Sequence, residues 1–307
     1  MMKVVFLGTA GSLPTPERNP SAVMINREGE LLLFDCGEGT QQQMMRARTG
    51  MMKLSSIFLS HLHADHTLGI PGLLQTMAFQ GREEELTIYG PHGLSEFYRA
   101  CRGLGLFGLK YPVRVRELAP GDVIEKNGYT VKAVRTDHGV PSLGYVIRDD
   151  MSPGRFNRER AVFLGVPPGP LFSKLHRGEK ITLDDGRIID PKADGIVGEP
   201  RPGLKIAYSG DTRENDFFFE EAADADLLIH EATFTKETSE NAEEWGHSTA
   251  AGVAEMAKKH RIRMLALVHV SQRFSEDITP VFEEAHGIFE NVVVPSDLDE
   301  LEIVRKD

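Results

Sequence analysis

Cysteine is nearly missing from this chain of 307 residues: Cys36 and Cys101 are the only two, far apart and without a CxxC partner. That argues against a thiolate metal site or a disulfide framework and fits a reducing compartment, with both thiols acting as small buried hydrophobes. Long apolar runs are lacking too. The stretch from Met1 to Leu7 carries Lys3 and ends at Gly8, too short for the hydrophobic region of a signal peptide or for a membrane span. A cytoplasmic location and no membrane partner are the expectations. Positive charge is scarce, with 35 Lys and Arg against 46 Asp and Glu and a net charge of −11. Taken as a sum, that balance argues against a nucleic-acid partner. There is no low-complexity tract, and the length suffices for one large domain with a full core, or one domain with an insertion.

What the chain does have is a concentration of metal ligands. Ser60-His61-Leu62-His63-Ala64-Asp65-His66 puts three imidazoles and a carboxylate within six residues, directly after the apolar, β-rich run Leu54 to Leu59. His and Asp are the ligands that suit zinc or a similar divalent ion. Alternate residues at a strand end project side by side, so His61 and His63 can grip one ion, leaving Asp65 and His66 free for a second. A solvated His-rich loop is the bland alternative, and an apolar strand leading in with a helical pattern leading out disfavours it.

The same arrangement recurs along the chain. Lys3 to Leu7 reads as a strand, followed by a glycine-rich turn and a stiff loop with Pro14, Pro16 and Pro20. Ala22 to Ile25 and Leu31 to Phe34 read as a hairpin that delivers Asp35 before Gly37. There a carboxylate can fix the tautomer of a ligand histidine, or it can merely cap the following turn. Tyr129 to Arg135 leads to His138, Leu204 to Tyr208 to Asp211, Leu227 to Ile229 to His230 and Glu231, and Arg263 to Val268 to His269. From the His cluster onward, five strands finish in His or Asp. Polar ligands gathered at one set of strand ends build a site along a sheet edge, and two halves of strands followed by helices suggest two packed sheets with helices outside.

Between Ile147 and Leu204 the pattern breaks into a segment rich in Gly, Pro and charge, far longer than an ordinary loop. We read it as an insertion, an arm at about 148–203. Arg155, Arg158, Arg160, Lys174, Arg177 and Lys180 lie there against Glu159 and Glu179, so the scarce positive charge is concentrated and an RNA partner stays open. Asp184, Asp185, Asp190 and Asp194 dilute it further on.

HxHxDH at 61–66, a later His, an Asp after Tyr-Ser-Gly and a last His after an apolar strand resemble the metallo-β-lactamase superfamily. More narrowly, the chain resembles the tRNase Z (ribonuclease Z) family in its short form. The matching segments are Phe6-Leu7-Gly8-Thr9 with the Arg18-Asn19 loop, Phe34-Asp35-Cys36-Gly37-Glu38-Gly39, His230-Glu231-Ala232-Thr233, Gly246-His247-Ser248-Thr249, and Gly165-Val166-Pro167-Pro168-Gly169-Pro170-Leu171. The resemblance implies an α/β fold, the metallo-β-lactamase αββα sandwich of two mixed sheets with helices outside and an inserted flexible arm. It implies two zinc ions per subunit, with Mn or Co as possible substitutes: His61, His63 and His138 on the first, Asp65, His66 and His269 on the second, and Asp211 bridging. Seven ligands for two ions leave room for a water. The substrate it implies is precursor tRNA, and the assembly it implies is a homodimer in which one subunit's arm serves the other's cleft.

On this reading Asp65 accepts the water's proton, while His247, just before a helix start and partnered by Glu231, protonates the leaving oxygen. Arg18, Asn19, Gly169, Pro170, Lys174, Arg177, Ser248 and Thr249 are the expected substrate contacts. The alternative for His247 and Glu231 is a helix cap and a loop anchor. The competing activity is a small-molecule phosphodiesterase or ester hydrolase of the same fold, which would have little use for a basic insertion of this length.

Overall fold

The computed structural model describes residues 1–103 and 108–305. It forms two compact units, residues 1–148 with 204–307 and residues 149–203.

The larger unit is built on two seven-stranded sheets. The first holds β1 (Met2–Gly8), β2 (Ala22–Arg27), β3 (Glu30–Phe34), β4 (Leu54–Phe58), β5 (Leu86–Gly90), β6 (Val113–Glu117) and, at its edge, β16 (Glu300–Ile303), in the order β16-β1-β2-β3-β4-β5-β6. The second holds β7 (Val123–Lys126), β8 (Tyr129–Arg135), β9 (Leu143–Asp149), β12 (Lys205–Tyr208), β13 (Leu227–Glu231), β14 (Leu265–Val268) and β15 (Val292–Val293), in the order β15-β14-β13-β12-β9-β8-β7. Both sheets are mixed: β3, β4, β5 and β6 run parallel, as do β12, β13, β14 and β15, while β1 to β3 pair antiparallel and β9 runs against β12.

Period-two alternation explains the layering, because both faces of each sheet are covered. Val4, Phe6, Leu32, Phe34 and Phe58 point into the core between the sheets, where they meet Tyr145, Ile206, Tyr208 and Ile229. Their neighbours Val5, Leu7, Leu31, Leu33 and Ile57 point outward, beneath the helices Thr40–Arg46, Gly69–Phe79 and Leu94–Gly103. On the far side Phe218, Phe219, Val253, Ala254, Val281 and Ala285 belong to the helices Asp216–Ala222, Ala250–Lys259 and Thr279–His286, which cover the second sheet. This is the αββα sandwich.

The smaller unit has its own core of Ala161, Val166, Leu175, Ile181, Ile189 and Ile196. It comprises the helices Arg158–Phe163 and Pro170–His176 and a two-stranded ribbon of β10 (Ile181–Thr182) and β11 (Ile188–Ile189). Asn157 accepts from the Arg160 N–H at the start of one helix, and Pro170 opens the other, both favoured first-turn devices. None of the described helices is long and apolar enough to cross a membrane.

Candidate metal centre

Six strand ends converge. Asp35 follows β3, the segment from Ser60 to His66 follows β4, His138 follows β8, Asp211 follows β12, Glu231 closes β13 and His269 follows β14. Gly210 shows how tightly the two sheets meet: at φ +60° its Cα faces Ser60, and an added Cβ would lie 2.3 Å from the Ser60 Cβ. Only glycine gives the left-handed turn at that distance.

His61, His63 and His138 offer three nitrogens within 4.8 Å of one another, and Asp65, His66, Asp211 and His269 form a second such group. His63 Nδ1 lies 2.9 Å from His61 Nε2 and 3.3 Å from His138 Nε2. Asp65 Oδ2 lies 3.3 Å from His66 Nε2 and 3.4 Å from His269 Nε2. Between the groups stands Asp211, whose Oδ2 is 3.7, 3.8, 3.3 and 3.2 Å from the Nε2 atoms of His61, His138, His66 and His269. Ligands of one tetrahedral ion at ~2.0–2.1 Å are themselves ~3.4 Å apart, so these are the spacings of atoms converging on shared ions. Asp211 faces both groups.

The outer hydrogen bonds make that reading chemical. Asp35 Oδ2 accepts from His66 Nδ1 at 2.7 Å, and the Gly246 carbonyl accepts from His138 Nδ1 at 2.8 Å. Ser60 Oγ donates to Asp35 and therefore accepts from His61 Nδ1 at 2.9 Å. Thr233 Oγ1 donates to Glu231 and accepts from His269 Nδ1 at 2.8 Å. Each of the four rings spends its Nδ1–H outward and turns the lone pair of Nε2 inward, the tautomer that ligates metal. His66 Nε2 and Asp211 Oδ1 are two of the eight buried side-chain polar atoms without a hydrogen-bond partner among the described residues. Orphans of that kind are rare unless something else occupies them. The donor set therefore fits divalent metal.

Electrostatics follows burial and neighbours. Desolvation holds His61 well below the ordinary histidine range and lowers His63 as well, which favours the neutral ring that a metal would take. For His66 burial works the same way, but Asp211 and Asp35 override it and raise the ring well above that range, so an ion binding at its Nε2 would displace a proton. Burial opposes the Asp65 charge and is outweighed by the neighbouring His269 and His66 rings, which lower its pKa. Asp35 and His269 both adopt φ +56°, an uncommon conformation for side chains with a Cβ that is tolerated where the surroundings demand it.

Glu231 is a fully buried hub. Its Oε1 accepts from Thr212 N and from His247 Nδ1, each at 2.8 Å, and its Oε2 accepts from Thr233 Oγ1 at 2.7 Å. It thus holds the loop beside Asp211, the His247 ring and, through Thr233, a ligand ring. Of two further groups, Glu231-His247-His269 is joined by these bonds, and His138-Asp211-His247 shares His138 and Asp211 with the sets above. Burial disfavours a charged His247, but the Glu231 carboxylate more than compensates and takes the ring up to about 9. His230 points the other way along β13, stacked on Phe219 at 5.1 Å in the helix layer, and so has no part in the centre.

Several expected substrate contacts are placed otherwise. Arg18 is only 5% exposed; its Nη1 donates to Thr9 Oγ1 at 2.6 Å and to the Pro295 carbonyl at 2.7 Å. Burial lowers its pKa against the pull of Asp297 and Asp299. Asp297 gathers this corner, accepting from Thr9, Asn19 and Gln43, and nothing local in sequence marks it. Asn19 also lines a cleft of about 430 Å³ with Glu38, Gln42, Leu68 and Gly69. Ser248 is fully buried, its hydroxyl donating to the Thr212 carbonyl at 2.7 Å. Thr249 caps the helix Ala250–Lys259 by accepting from Gly252 N, and it is held by Glu214. Arg18 and Ser248 are framework residues rather than surface contacts, because their polar atoms are spent inside the protein. Gly169, Pro170, Lys174 and Arg177 are exposed on the smaller unit, with Arg177 paired to Glu179 at 2.7 Å.

Comparison with known proteins agrees with this geometry. A family model described as anti-Pycsar protein Apyc1 matches residues 2–152. Ribonuclease Z of Methanosarcina acetivorans is 58% identical over 99% of this chain and 98% of its own length, and that of Haloferax volcanii is 45% identical over 100% and 96%. Among solved structures, human tRNase Z, short form, is 30% identical with a TM-score of 0.71, covering 99% of this chain and 100% of that one. The metallo-β-lactamase-fold protein YhfI of Bacillus subtilis, 20% identical with a TM-score of 0.69 over 98% of both chains, shares the fold. The full-length match to these relatives, over a metal centre assembled at the strand ends, makes this chain a member of the ribonuclease Z family, on the metallo-β-lactamase fold.

Proposed function

We propose that the protein is an endoribonuclease that removes the 3′ trailer of precursor tRNA by phosphodiester hydrolysis, leaving a 3′-hydroxyl on the tRNA and a 5′-phosphate on the trailer. The observation that carries it is the double ligand set sharing Asp211, joined to His247 through Glu231, in a chain 58% identical to a ribonuclease Z. His61, His63 and His138 would hold one ion, Asp65, His66 and His269 the other, and Asp211 both. Zinc suits these donors, and manganese or cobalt can replace it. When bound, such a pair supplies an activated water and neutralises charge developing at phosphorus.

The chain's own residues do the rest. Asp65, whose Oδ2 faces the His66 and His269 rings, would accept the proton of the attacking water. His247 donates to the departing 3′-oxygen, with Glu231 holding its Nδ1 and favouring the charged ring. Lys174 and Arg177, with Gly169 and Pro170 beside them, would grip the tRNA body through its phosphates, contacts that position an RNA by shape. A homodimer belongs to the same proposal and rests on the family resemblance alone. To test the reading, the metal-loaded protein is incubated with a trailer-bearing precursor tRNA beside the variant Asp211→Ala. The native protein should release the trailer, and the variant should lose bound metal and cleavage together. A variant that keeps both ions and near-normal cleavage would rule out the shared-ligand assignment.

A further inference from the structure

A ladder of rings leads from the metal centre to solvent. His269 stacks on His247 with 5.2 Å between centroids, His247 meets Phe234 at 6.0 Å, and Phe234 meets Trp245 at 5.7 Å. The first three are buried, at 2%, 7% and 2% exposure, whereas Trp245 is 53% exposed. A lone exposed apolar residue needs no explanation; this one differs because it continues a rigid row rooted in a ligand ring and in the proton donor. Its position is fixed. Trp245 ends the helix Ser239–Trp245, Gly246 caps it at φ +76°, and the Gly246 carbonyl accepts from His138 Nδ1 at 2.8 Å.

The surroundings say what this ring can hold. Glu240, Glu243 and Glu244 are exposed on the same helix, with Arg213 beside Glu243 at 3.6 Å as the one cation paired to them among the described residues, so the local charge is unfavourable to a phosphate. A flat apolar ring beside a nucleic-acid site offers stacking, which any base accepts and which needs no positive charge. The direction of the chain follows from His247, and this step rests on the function proposed above: the oxygen His247 protonates belongs to the last nucleotide that the tRNA retains.

We propose that Trp245 stacks on the unpaired base on the 5′ side of the scissile phosphate and so binds the tRNA end of the cut. The trailer base then lies away from the indole.

The chain has one tryptophan, so its fluorescence reports on this residue alone in the unaltered protein. The metal-loaded protein is titrated with a tRNA ending in one unpaired 3′ nucleotide, and separately with the same tRNA trimmed flush with its acceptor stem. Saturable quenching by the first and none by the second at equal occupancy is the expected result. In steady-state cleavage of precursor tRNA, Trp245→Ala should raise KM roughly tenfold, more than it lowers kcat, and Trp245→Phe should recover most of the loss. No quenching by either RNA, equal quenching by both, or an unchanged KM for Trp245→Ala would overturn the proposal while the native protein still cleaves. A native protein that does not cleave precursor tRNA would overturn the functional reading, and this proposal with it.

Discussion

Asp35 carries four hydrogen bonds on its two oxygens, from Ser60 N, Ser60 Oγ, His66 Nδ1 and Tyr208 OH, all between 2.6 and 2.8 Å. The last of these crosses from the second sheet, so one buried carboxylate sets a ligand's tautomer and ties the sheets together at the site. In Asp35→Asn the amide cannot accept from every donor and the balancing charge is gone. Metal affinity, measured by chelator competition, should fall by about 10–100-fold; unchanged affinity would leave Asp35 as a turn residue only. His247 makes a different prediction. His247→Ala should slow precursor cleavage by roughly 10²–10⁴-fold, the usual contribution of a positioned acid, with metal content retained. The loss should shrink on a nitrophenyl phosphodiester, whose leaving group needs little protonation, and an equal loss on both substrates would point to a structural role. Cys36 is silent at this scale: burial pushes its thiol up to about 12, which disfavours the reactive thiolate.

Strands end where ligands begin, and for that reason the site was largely legible in sequence. An apolar run followed by His or Asp is a local signal, and His61, His63, Asp65, His66, His138, Asp211 and His269 were all read from it or from the family pattern built on it. Asp35 could be read both ways until Tyr208 and Ser60 were in place around it. What sequence does not show is which polar residues are spent inside the frame. Arg18 looks like an exposed cation in a proline loop, yet its partner, the Pro295 carbonyl, lies 277 residues further on. Ser248 looks like a helix cap open to substrate, but Thr249 does the capping and Ser248 turns inward. The segment 149–203 hid its short helices and ribbon because its core of six small and branched residues has no sustained periodicity. Its basic side chains remain the expected grip on tRNA. Removing residues 149–203 and rejoining Arg148 to Leu204 by a short flexible linker should leave turnover of a small phosphodiester intact at equal metal occupancy. It should also sharply weaken tRNA binding and flatten its salt dependence, since each lost phosphate contact removes a released counterion. Unchanged tRNA affinity across a salt series would take the grip away from this unit.

At the scale of the whole molecule the net charge of −11 and an RNA substrate are reconciled by division of labour. The acidic sandwich supplies ligands from both sheets, β4 on one side and β8, β12 and β14 on the other, so the centre exists only when the two sheets are packed on the core that Phe34, Phe58, Tyr145 and Tyr208 fill. On our proposal recognition is left to the basic stretch 155–180 of the smaller unit, which as a whole balances nine Lys and Arg against nine Asp and Glu, and to the uncharged ring of Trp245. The central claim is that this assembly hydrolyses an RNA phosphodiester with water as nucleophile and the 3′-oxygen of the tRNA as leaving group. The most direct test is cleavage of a precursor tRNA by the metal-loaded protein in ¹⁸O-water, followed by mass analysis of both new ends. The account predicts an unlabelled 3′-hydroxyl on the tRNA and a single ¹⁸O in the trailer's 5′-phosphate, whereas a 3′-phosphate or 2′,3′-cyclic phosphate on the tRNA would contradict it.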